Sequence, residues 1–92
     1  MRLDGTVIVV TGGSSGLGKE MARAFVAEGA DVVVAARDDG RREQAVTELG
    51  DGPGTATGVR TDVRSWDSVQ ALVARTREEV GEVDVLVNNA GV

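Results

Sequence analysis

"TVIVVTGGSSGLG", residues 6–18, decides how this chain is built. Its first six residues, Thr6 to Thr11, are β-branched throughout and apolar between the two threonines, the pattern of a strand buried on both faces. A turn of glycines and serines follows. From Leu17 to Glu28 the apolar residues Leu17, Met21, Ala24 and Phe25 recur at helical spacing, and Gly29 is a natural stop. Strand, glycine turn and helix together open a βαβ unit, and the rest of the chain repeats the alternation.

Asp31 to Ala36 ("DVVVAA") reads as a second buried strand. Asp38 and Asp39 can cap a helix running to about Leu49, with a thin apolar face of Ala45, Val46 and Leu49. "GDGPGTATG" (50–58) reads as a loop by composition, with the only proline at Pro53. "GVRTDV" (58–63) reads as a short third strand. Ser65 then caps a helix with Asp67 in its first turn, a buried stripe of Val69, Leu72, Val73 and Val80, and a stop at Gly81. "VDVLV" (83–87) is the fourth strand. The order β-α-β-α-β-α-β predicts an α/β fold, a parallel sheet joined by right-handed crossovers, with the fourth strand beside the first in the order 3-2-1-4. No repeat or linker divides the chain, so residues 1–92 are read as one unit.

Composition removes several chemistries. There is no cysteine, histidine or tyrosine among the 92 residues. Thiolate nucleophiles, Ser-His-Asp triads and histidine- or sulfur-ligated metal sites are therefore excluded for this chain. The net charge of -5 comes with scattered rather than clustered basic residues, which argues against nucleic acid and anionic membrane as partners. "MRLDGTVIVV" enters a strand without the pattern of a signal peptide, and no run approaches the ~20 apolar residues of a membrane span. A cytoplasmic location is the expectation.

Ligands of open parallel sheets lie beyond the C-terminal ends of the strands. The first such turn is "TGGSSGLG" (11–18), where glycines at 12, 16 and 18 allow a sharp bend and a close approach to a ligand. The helix that follows directs free N–H groups and its positive end at the same space, so a phosphate or pyrophosphate is the expected occupant. Packing of helix on strand would also account for the glycines. Read from Gly13, "GSSGLGKE" nearly matches a P-loop, but the residue after Lys19 is Glu20 where that scheme needs a hydroxyl for Mg²⁺.

Three segments in order, each at a strand C-terminus, sharpen the reading. "TGGSSGLG" resembles the TGxxxGxG signature of the short-chain dehydrogenase/reductase family. "TDV" (61–63) resembles that family's acidic residue after the third strand, and "NNAG" (88–91) its motif after the fourth. The resemblance covers the whole chain and about the first third to half of a typical member. It implies a Rossmann-like, NAD(P)-binding domain of which this chain is the first half. It further implies that Gly12, Ser14, Ser15, Gly16, Leu17 and Gly18 line the pyrophosphate and adenine-side ribose. Asp62 would bond the adenine amino group, with the backbone of Val63 against the ring, and Asn89, Ala90 and Gly91 would wall the adenosine side. Two alternatives stay open: Asp62 as a cap of the turn into the third helix, and Asn88 and Asn89 as ordinary turn residues bonding their own backbone.

Cofactor choice turns on the end of the second strand. An acid there bonds the 2′-hydroxyl of NAD, whereas a nearby arginine accommodates the 2′-phosphate of NADP. By the family's spacing Ala36 fills the acidic position and Arg37 follows, so NADP is expected and NAD is the lesser alternative. Asp38 is the one acid close enough to compete, and Ser15 stands where many NADP-preferring relatives carry a basic residue. Trp66 is given no function.

The family reduces carbonyls with a serine, and with a tyrosine whose pKa is lowered by a lysine one helical turn on. This chain has no tyrosine, its only lysine is Lys19, and its four serines lie in the glycine turn or at a helix start. No residue is assigned a catalytic role. The expected function is the NADP-binding portion of an oxidoreductase, without turnover by itself. Two alternatives accompany it: one piece of a split oxidoreductase completed by a partner chain, or a non-catalytic interaction protein or decayed product with a vestigial nucleotide site. The expected partners are a dinucleotide and either a complementing chain or a second copy at an open sheet edge.

Overall fold

Val32 to Ala35, all but excluded from solvent, are the centre around which the other elements assemble. The computed structural model describes residues 3–12, 16–50 and 52–89. Within them strands and helices alternate: β1 Val7–Thr11, α1 Gly16–Ala27, β2 Asp31–Ala36, α2 Asp39–Leu49, β3 Thr55–Arg60, α3 Trp66–Glu79 and β4 Val85–Asn88. The strands form one parallel sheet in the order β3-β2-β1-β4, as the alternation predicts.

Alternate residues of the two central strands feed opposite faces. Ile8, Val10, Val32 and Val34 join Ala22 and Val26 of α1 and Leu49 of α2 in one layer. Val9, Val33 and Ala35 join Val59 and Leu72 of α3 in the other. The connections through α1 and α2 step the sheet one way, and the α3 connection reverses the step. With a fixed crossover hand, reversal puts α3 on the opposite face. One face thus carries two helices and the other carries one.

Several boundaries move. The third strand is Thr55–Arg60, not 58–63, so half of the expected loop is paired: Thr55 lies opposite Asp31 and Gly58 opposite Val34. Composition misled here because Gly58 marks a close crossing rather than a loop. A Cβ at that position would lie 3.0 Å from Cγ of Arg42 and 3.2 Å from Cγ2 of Val46 on α2. β4 starts at Val85, two residues later than expected. Val83 packs on the core, while the Asp84 N–H donates to the Val7 carbonyl and a carboxylate oxygen of Asp84 accepts from the Val7 N–H at 2.8 Å.

Two helical stripes also rotate. α1 buries Gly18, Ala22 and Val26, whereas Leu17 is 68% exposed and Ala24 is exposed. The tight seat of Gly18 against the strand ends sets that rotation. On α3 Leu72 and Thr76 are buried, Val69 and Val80 are half-buried, and Val73 is exposed, because among the described residues no second helix flanks α3. The expected caps hold: the Asp38 carboxylate accepts the Arg41 N–H at 2.8 Å, and the Ser65 hydroxyl accepts the Ser68 N–H at 3.2 Å.

Candidate dinucleotide site at the strand ends

The C-terminal ends of β1 and β4 meet where the sheet changes direction, and their residues are bonded together. The buried Thr11 hydroxyl accepts the Asn89 N–H at 2.9 Å. Its single proton has the Val87 carbonyl at 3.3 Å and the Asn88 side-chain oxygen at 3.2 Å as acceptors. Gly12 continues the sheet by donating its N–H to the Ala35 carbonyl at 2.9 Å, then adopts φ 68°. Gly16 opens α1 at φ 58°, a conformation that side chains rarely adopt. A Cβ on Gly18 would run into the Gly12 carbonyl and lie 2.6 Å from Nδ2 of Asn89. Gly12, Gly18 and Asn89 are therefore one packed unit, formed by a glycine that admits no side chain.

The first turn of α1 differs from those of the other helices. It contains no acidic residue, whereas α2 carries Asp39 and α3 carries Asp67 there. Its positive end is left for an anion. Lys19 does not point at that space; its ammonium pairs with Glu48 on α2. That bond also holds the Glu48 carboxyl below its ordinary range. This removes the cation that a P-loop would need.

At the end of β2, Ala36 pairs with Arg60 of β3, and Arg37 is exposed. Among the described residues Arg37 forms no hydrogen bond or ion pair. Arg23, Arg42, Arg64, Arg75 and Arg77 each have a carboxylate partner. Asp38, the one acid placed to compete for a ribose, is committed to capping α2. Asp39 is held by Arg42 at 2.8 Å, and that bond lowers its pKa.

Asp62 follows β3 and serves its own turn. It accepts the Arg64 N–H at 3.0 Å and the Arg64 guanidinium at 3.2 Å, while the Asp62 N–H donates to the Ser68 hydroxyl at 2.8 Å. The Arg64 side chain, then the Arg64 N–H, hold the carboxyl below its ordinary range, and the charge of Arg37 adds to this. Asp62 thus caps its own turn, and its side chain stays one-third exposed. Val63, 42% exposed, reaches the lip of an apolar groove that Thr11, Asn88, Leu72, Val73 and Leu86 also line.

Gly12, Gly16, Gly18, Arg37, Asp62, Val63 and Asn89 accordingly stand at the C-terminal end of the sheet, with Leu17 exposed to solvent. Ser14, Ser15, Ala90 and Gly91 lie outside the described residues. Sequence reasoning passed over Thr11 and Arg42. A polar residue ending an apolar strand, and a charged residue on the inward stripe of a helix, were the available signals. Among the described residues no group of three or more acidic side chains could hold a metal ion, and no helix is long and apolar enough to cross a membrane.

Comparison with known proteins fits this geometry. The family profile described as short chain dehydrogenase matches residues 6–92, and the chain belongs to that family. It is 43% identical over 91 residues to the oxidoreductase UcpA of Salmonella typhimurium, covering 99% of this chain and 34% of that protein. It is 40% identical to zerumbone synthase of Zingiber zerumbet, covering 100% of this chain and 34% of that one. Among solved structures, L-sorbose reductase from Gluconobacter frateurii, complexed with NADPH and L-sorbose, superposes with a TM-score of 0.93 at 39% identity. That match covers 100% of this chain and 35% of the reductase. The chain therefore spans about a third of the length of the relatives it matches.

Proposed function

We propose that these residues bind the adenosine side of a dinucleotide, NADP in preference to NAD, as the coenzyme-binding portion of a short-chain dehydrogenase/reductase. The observation that carries the reading is the end of β2. Ala36 offers no acceptor for a ribose hydroxyl, Asp38 is occupied as a helix cap, and Arg37 is exposed without a carboxylate partner. A guanidinium forks onto a phosphate, whereas a ribose diol needs a carboxylate. The cradle of Gly12 and Gly18 and the acid-free start of α1 suit a pyrophosphate. The relative solved with NADPH agrees with the choice.

In this role Gly12, Ser14, Ser15, Gly16, Leu17 and Gly18 line the pyrophosphate and ribose, and Arg37 takes the 2′-phosphate. Val63 and, on giving up its bonds to Arg64, Asp62 meet the adenine, and Asn89, Ala90 and Gly91 close the adenosine side. The bound cofactor would supply hydride chemistry. These 92 residues supply binding, and proton transfer to a developing alkoxide needs groups beyond them. The apolar groove between α3 and β4 favours a complementing element there that brings those groups.

Titration with NADPH, NADH and ATP, followed by calorimetry and thermal unfolding, tests the proposal. NADPH is expected to bind most tightly and to raise the unfolding midpoint, and Arg37→Ala to remove the advantage over NADH. A folded chain indifferent to all three nucleotides would overturn it.

A further inference from the structure

The inward face of α2 carries a residue that its packing does not call for. Ala45 and Leu49 are buried on that face and Val46 packs beside them. One turn earlier the stripe reaches Arg42, whose side chain is only 12% exposed. An apolar residue would fill the place without desolvating a charge. Instead the stem of Arg42 crosses β3 at Gly58, where a Cβ would lie 3.0 Å from its Cγ. Its guanidinium then emerges at the end of β2. One Nη donates to the Ala36 carbonyl at 3.1 Å, and the other to the Asp39 carboxylate at 2.8 Å.

Both bonds act on Arg37. The Ala36 carbonyl belongs to the peptide unit that carries the Arg37 N–H. It also accepts the Thr61 N–H at 3.1 Å, so the plane of that peptide is fixed from two sides. Asp39 is the second acid after Arg37 and the one that no helix cap consumes. Its negative charge lies two residues along the chain from Arg37 and, without the bond to Arg42, would oppose a phosphate bound at this strand end. Thr61 shares the hold on that carbonyl and the charge of Arg60 adds a smaller effect on Asp39, but Arg42 alone bonds both groups.

We infer that Arg42 is a positioning residue for cofactor choice: by fixing the Ala36–Arg37 peptide and neutralising Asp39, it makes the end of β2 receptive to a 2′-phosphate. The inference rests on the NADP reading above and names a device within that site. Its experiment measures NADPH and NADH affinities and unfolding midpoints for the parent chain and for Arg37→Ala, Arg42→Leu and Asp39→Asn. Leucine completes the apolar stripe, so Arg42→Leu is expected to keep the midpoint. Its NADPH-to-NADH affinity ratio should fall about tenfold, the size of a lost charged hydrogen bond.

Asp39 has a 60% exposed side chain, so Asp39→Asn folds whatever becomes of the leucine variant. It is expected to raise the ratio about threefold, by removing the charge that Arg42 offsets. A purely structural Arg42 would move midpoints and leave both ratios at the parent value, and that result overturns the inference. If Arg42→Leu does not fold, the Asp39→Asn ratio decides alone. A parent chain without NADPH preference, or one whose preference survives Arg37→Ala, sinks the cofactor reading and the inference together. A preference abolished by Arg37→Ala but untouched by the other two sinks the inference alone.

Discussion

Gly18 is the residue on which the site is built. Any side chain there must displace the Gly12 carbonyl or the Asn89 amide, and backbone yields less readily than a flexible side chain. Gly18→Ala is expected to lower stability by about 1–3 kcal/mol, the usual range for overpacking, read as a lower urea midpoint at unchanged slope. Its nucleotide affinity should fall further than its stability predicts, because α1 is pushed off the strand ends. The sequence told that these glycines matter through their spacing after an apolar strand. It could not tell that Asp62 spends its carboxylate on Arg64, because a residue two positions away reads equally well as solvated charge. Charge also sets the acid limb of stability. Asp39, Glu48 and Asp62 have folded-state pKa values below their ordinary 3.8, 4.5 and 3.8. Their contribution is therefore complete above those values and lost as pH falls through the folded ones. Replacing Glu48 with Gln should flatten the stability profile below about pH 4.5 and leave pH 7 little changed, since the pair is solvent-screened. Midpoints measured from pH 3 to pH 7, roughly the window in which carboxylates titrate, check this.

At the scale of elements, α3 is the test of how the second face is held. Leu72 is 3% exposed and bridges α3 to Val9, Val33 and Val59, whereas the adjacent Val73 is 41% exposed. Leu72→Ala is expected to cost about 2–4 kcal/mol, a large part of the stability of so short a chain, and Val73→Ala about 0.5 kcal/mol or less. Equal losses in denaturant unfolding would mean that α3 packs by its other side. Periodicity offered both residues for the stripe, since each falls within a helical face three or four positions from Val69. Only the number of neighbouring helices separates them, and that is a property of the sheet rather than of the segment. The strands were legible for a simpler reason: β-branched runs buried on both faces leave no choice of side, so β2 stands at its expected bounds and β1 loses only Thr6. β3 was obscured because its glycine serves a helix crossing that lies twelve to sixteen positions away in sequence.

Taken together, the described residues form a four-stranded sheet with unequal cover. Among the described residues nothing pairs with the outer edge of β4, where Val85 is 43% and Leu86 60% exposed. Such an edge beside an apolar groove favours association. Raising concentration should produce larger species in sedimentation, and Leu86→Glu should suppress them with a stability change within about 0.5 kcal/mol. The unequal cover has a further consequence in time. Amides of β1 and β2, enclosed from both sides, should exchange with deuterium only when the entire chain opens, while those of α3 and β4 should exchange through a smaller and more frequent opening. Gly12 and Gly18 of the cradle, with Arg37 at the end of β2, would then keep their places while Asn89 loosens from them. A nucleotide would be gripped at one end first and enclosed afterwards.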